Sequence, residues 1–83
     1  MSNEKGLQEE NIRVGTKQTI RMVELGKATE VYIAEDADSR VTSKVILLCK
    51  SMDVKITYVD TMKNLGKACG IDVGAAMVAI VNE

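Results

Sequence analysis

Lys17, Gln18 and Arg21 stand close together in the stretch GTKQTIR, Gly15 to Arg21. Lys17 and Arg21 are four residues apart, so on a helix they share a face and repel each other weakly. A Gly-Thr pair ahead of helix-tolerant residues reads as a helix start, with Thr16 as its N-cap. The positive end of the helix dipole then lies beside the two cations, where acids are the favoured residues. Backbone N–H groups, dipole and cations at such a place would converge on an anion, a phosphate or the base edges of a nucleic acid. Arg and Lys are the usual partners of guanine O6 and N7. The plainer reading is a solvated helix face, with Arg21 paired to Glu24.

A second unusual stretch is LGKACGIDVGAA, Leu65 to Ala76, with Gly66, Gly70 and Gly74 in twelve residues. Glycines permit close backbone approaches that other residues resist. The pattern is not a dinucleotide-binding G-x-G-x-x-G, and no strand precedes it as that motif requires. Lys67 is a candidate for phosphate contact. Ile71 and Val73 fall between two glycines, either as ordinary core residues or as an exposed apolar loop that packs on an unstacked base. Glu35, Asp36 and Asp38 offer oxygen ligands for Mg²⁺, but three acids in one turn are more often solvated. Cys49 lies on an expected core face, and Cys69 has only Lys67 nearby to activate it.

These side chains must be held by a small scaffold. The chain has 83 residues, which fits a single domain over 1–83. Hydrophobic residues make up 46% of it and charged residues 28%, so a packed core is expected. With no Phe or Trp, that core must be aliphatic, and the usual stacking platform for single-stranded nucleic acid is missing. The net charge of −1 excludes a globally basic binder but leaves room for a local basic patch. The absence of His removes Ser-His-Asp and Cys-His catalysis and His-ligated zinc. Two cysteines make no disulfide framework or metal motif. The expectations are therefore no enzyme, no cofactor and no metal. The polar start MSNEKGLQEEN carries no apolar run, so no signal peptide or membrane span is expected, and the simplest compartment is the cytoplasm. A monomer is expected.

The segments alternate in type. Asn11 to Gly15 reads as a short strand and Thr16 to Leu25 as a helix with Ile20 and Val23 on one face and Gly26 beyond its end. Glu30 to Glu35 reads as a central, largely buried strand. Asp36 to Ser39 is a polar turn. A helix follows from about Ser39 to Ser51, with Val41, Val45, Leu48 and Cys49 or Met52 inward. Val54 to Val59 is a strand, Thr61 to Gly70 a short helix interrupted by Gly66, and Ala75 to Val81 a last apolar strand. Residues 1–10 read as a further helical turn or a flexible segment. The alternation indicates α/β layering around a mixed sheet of about four strands.

GTKQT, VYIAEDAD and MKNLGKACGIDVGAAMVAIV, in this order and spacing, resemble the ribosomal protein "L-seven-Ae" family of kink-turn RNA-binding proteins, above all its small bacterial members. The resemblance covers about residues 12 to 81. It implies a three-layer α-β-α sandwich. It also implies binding to structured RNA, ribosomal RNA or a riboswitch, bent sharply at tandem sheared G·A pairs. On this resemblance the helix after the first strand enters the widened major groove at those guanines. The Gly-rich loop covers the bulged nucleotides. The RNA-binding residues it implies are Gly15, Thr16, Lys17, Gln18, Arg21, Glu35, Asp36, Leu65, Lys67, Ile71, Asp72 and Val73, together with Gly66 and Gly70. Lys17, Gln18 and Arg21 stand where archaeal and eukaryotic members usually have Asn, Glu and Lys. Gln18 offers a neutral oxygen in place of a carboxylate, and Lys17 compensates with a phosphate or guanine O6 contact, so binding with more electrostatic character and stronger salt sensitivity is expected. The alternative is a ribosome-associated interaction module that binds RNA without specificity.

Overall fold

The computed structural model describes residues 11–81. The reading of residues 1–10 lies outside this range. The elements are β1 (Ile12–Val14), α1 (Thr16–Glu24), β2 (Ala28–Ala34), α2 (Ser39–Met52), β3 (Lys55–Val59), α3 (Met62–Ala68) and β4 (Met77–Val81). The four strands form one sheet in the order β1-β4-β2-β3. β2 and β3 are parallel and joined through α2, while β4 runs antiparallel to both β1 and β2. The last strand is thus inserted in the middle of the sheet. Its run MVAIV suits that place, because a central strand between two helical layers needs apolar side chains on both faces.

Alternation along the strands divides the core in two. Val31, Ile33, Met77, Ala79 and Val81 pack with Met22 and Val23 of α1 and Val45 and Cys49 of α2. Ile12, Ala34 and Val78 point the other way, onto Leu65 of α3, Cys69 and Ala75. Two helices on one face and one on the other make the expected three-layer α-β-α sandwich. The core is aliphatic apart from the half-buried Tyr32 at its margin.

Four local expectations change. Thr16 is the first helical residue and not the cap: Gly15 holds the N-cap position at φ 108°, a left-handed value that favours glycine. α1 stops at Glu24, leaving Leu25 exposed as the chain turns through Gly26 at φ 74°. Cys49, not Met52, closes the inner face of α2. Met52 is exposed at the last turn, before Asp53 ends the helix in the left-handed region. Gly66 does not interrupt α3. It lies inside the helix at a position where only glycine fits, since a Cβ there would fall on the Val73 carbonyl oxygen.

Candidate nucleic-acid interface

The three helix starts are built differently. At α2, Asp38 accepts the Arg40 backbone N–H at 2.9 Å and also receives the Arg40 guanidinium, with Nη2 to Oδ2 at 3.0 Å. That side-chain hydrogen bond, then the backbone one, hold the Asp38 carboxyl below its ordinary value. At α3, Thr61 Oγ1 accepts the Asn64 N–H at 3.0 Å, and Asp36 Oδ1 accepts the Met62 N–H at 2.8 Å. None of the three helices has an acid in its first turn, but α1 alone also lacks a side-chain cap. The first amides of a helix have no intrahelical acceptor, so those of α1 are left to the outside.

Lys17, Gln18 and Arg21 surround that uncapped end and are all exposed, with Thr16 partly covered. Arg21 forms no ion pair with Glu24 among the described residues. Lys17, Arg21 and Glu24 instead border one shallow depression floored by Ile20 and Leu25. The arrangement is a local concentration of positive charge on a chain of nearly zero net charge, which is what binding an anionic surface needs.

The Gly-rich loop is the other half of the candidate interface. Lys67, Asp72 and Val73 are exposed, Val73 to 69% of its surface. Ile71 is half-buried against the core beneath α3. Leu65 is fully buried, a correction to its expected place among the contacts: its side chain fixes α3 to the sheet and offers no surface to a ligand. The exposed Val73, next to Asp72 and with the half-buried Ile71 as its base, gives a small apolar platform.

Three residues of chain bring the two halves together. The Gly15 N–H donates to Met77 O at 3.0 Å, tying the α1 start to β4. The Ala34 N–H donates to Ala76 O at 2.9 Å, tying down the end of β2 that leads into Glu35 and Asp36. The Ala75 N–H donates to Met62 O at 3.0 Å, tying the loop exit to α3. The α1 start, the exposed Glu35 and Asp36, and the Ile71–Val73 loop therefore lie at one end of the strands. The contact that the sequence reading missed is Asp36 to Met62, which spans 26 residues and leaves no local pattern.

Other chemistry finds no support here. Asp36 and Asp38 are engaged with Met62 and Arg40, and among the described residues no group of three or more acids, His or Cys is placed to hold a metal ion. Both cysteines are free and buried, and burial pushes both thiols up, away from nucleophilic character. No described helix is long and apolar enough to cross a membrane.

The chain is similar to proteins of known sequence and structure. The profile of the "Ribosomal protein L7Ae/L30e/S12e/Gadd45 family" matches residues 3–83. An RNA-binding protein of Geobacillus thermodenitrificans is 57% identical over 81 residues, covering 98% of this chain and 99% of the relative. "RNA-binding protein YbxF" of Geobacillus stearothermophilus is 56% identical with the same coverage. Among solved structures, the Giardia lamblia 15.5kD RNA binding protein superposes with a TM-score of 0.83 at 28% identity, covering 89% of this chain and 62% of that one. A Bacillus halodurans protein of unknown function, at 22% identity and a TM-score of 0.81, shares the fold.

Proposed function

Because this chain belongs to the ribosomal protein L7Ae/L30e/S12e/Gadd45 family, we propose that it is an RNA-binding protein that recognises and stabilises kink-turns in structured RNA, in association with the ribosome. Its function is binding, without a catalytic step. The observation that carries the reading is the joining of two unlike surfaces at the start of β4: an uncapped, cationic helix end and an apolar loop. A-form RNA has a deep, narrow major groove that side chains do not reach, and a kink opens it. A helix end then meets the guanine edges of the sheared pairs, with Lys17 and Arg21 supplying charge and Gln18 an amide. Gly15 and Thr16 let the backbone come close. Val73, backed by Ile71, covers an unstacked nucleotide, with Lys67 at the phosphates and Glu35 and Asp72 at the rim. Binding the bent state better than the extended one shifts the RNA toward the bend.

The test is a paired gel shift with a kink-turn duplex and the same duplex with its G·A pairs made Watson–Crick. The expected outcome is tight binding of the first and a large loss with the second. Equal affinity for both would return the protein to a general RNA-binding module.

A further inference from the structure

Asp36 is the one side chain in a closed circuit of hydrogen bonds around the candidate interface. Its Oδ1 accepts the Met62 N–H at 2.8 Å. The Met62 carbonyl accepts the Ala75 N–H at 3.0 Å. The next residue, Ala76, accepts the Ala34 N–H through its carbonyl at 2.9 Å, and Ala34 leads back in two residues to Asp36. All the other links are backbone to backbone.

What the circuit holds is the loop. The Ile71 N–H donates to Gly66 O at 3.1 Å. A Cβ on Gly74 would sit 3.2 Å from Met62, and one on Gly66 would fall on the Val73 carbonyl. The backbone of Ile71–Ala75 is therefore laid directly on α3, and where α3 sits decides where Val73 points. α3 is only seven residues long and begins immediately at Met62. Thr61 already satisfies the Asn64 amide, so Asp36 adds what a local cap cannot: a bond to the segment that follows β2 and, through Ala34 and Ala76, to the strand that also holds Gly15.

We infer that Asp36 is a positioning residue for RNA recognition: it sets the Ile71–Val73 loop against the α1 start through Met62, and does not itself read the RNA. The inference rests on the kink-turn reading above. Asn at position 36 keeps an Oδ1 acceptor and loses only the charge, whereas Ala removes the acceptor.

The experiment compares Asp36→Ala and Asp36→Asn in the full chain, free and with the kink-turn duplex. In the free protein, amide exchange at Ile71 and Ala75 is expected to quicken in Asp36→Ala and to return toward wild type in Asp36→Asn. Affinity for the kink-turn is expected to fall roughly fivefold in Asp36→Ala and to be largely kept in Asp36→Asn, as for loss and retention of a helix-terminal acceptor. Adding Val73→Ala to Asp36→Ala should cost little more, because the loop contact is already impaired. Unchanged exchange in Asp36→Ala overturns the inference whatever the RNA result. Equal loss of affinity in the two variants overturns it too, by making the charge itself the contact. If wild type fails to prefer the kink-turn duplex, the functional reading falls, while the exchange data still decide whether Asp36 holds the loop.

Discussion

The helix start and the Gly-rich loop, the two halves of the proposed interface, are built on opposite principles. At the α1 start, polar groups are left unmet. The helix has no side-chain cap, Lys17 and Arg21 add charge to an already positive end, and the buried Thr19 hydroxyl one turn in has no hydrogen-bond partner among the described residues. At the loop almost everything is met. Met62, Asn64, Ile71 and Ala75 each have an acceptor, and two glycines let the backbone lie against itself without a gap. The difference suits what each is proposed to contact. An electrostatic surface works by keeping its donors free for the partner, since a donor satisfied internally gives up much of its value to an anion. An apolar surface has no directional bond to hold it in register, so its backbone must be fixed beforehand.

The contrast can be broken most heavily at Gly66. Replacing it with Ala drives a methyl into the Val73 carbonyl. Unfolding stability should fall by about 1–3 kcal/mol or more, as for overpacking in a tight interior. Thermal denaturation measures the fall, and RNA binding should weaken with it. At the helix start the fold should be spared. Arg21→Ala should leave the melting temperature nearly unchanged and cost about 1–3 kcal/mol of kink-turn affinity, with a shallower salt dependence. A titration series over salt concentration checks both. Unchanged affinity in this variant would return Arg21 to a plain solvated face. The smallest effect is expected at Thr19. Valine has the same shape without the hydroxyl, so Thr19→Val should raise stability by about 1 kcal/mol, the cost of a buried group with no partner. Kink-turn affinity should stay as it was. A loss of affinity there would show that the hydroxyl serves the helix start and is not idle.

How legible these regions are in sequence follows the same division. Charge and local periodicity are written in neighbouring residues, so the seven elements, the α/β layering and the exposed Lys17, Gln18 and Arg21 can be read directly, while the three layers come from the family resemblance. Gly15 was recognisable as the beginning of α1, but not its role as the cap, because the hydroxyl of Thr16 offers the more familiar choice. The loop is harder. Gly66 reads as a helix breaker on propensity, since only the fold reveals the carbonyl that fills the space of its missing side chain. Leu65 and Val73 look alike as apolar residues in a Gly-rich stretch, yet one is fully buried and the other largely exposed. Asp36 belonged on sequence to an acidic cluster, and its bond to Met62 depends on tertiary placement alone.

The position of β4 has a consequence for when the protein becomes competent. β4 follows every other element in the order of synthesis, yet it pairs with β1 and β2, and residues 75–77 anchor the α1 start, the end of β2 and α3. A nascent chain that has emerged only as far as α3 can form the parallel β2–β3 pair beneath α2. It has no partner for β1 and no acceptor for the Gly15 amide. Both halves of the candidate interface are therefore completed in one late event, when β4 adds to the sheet.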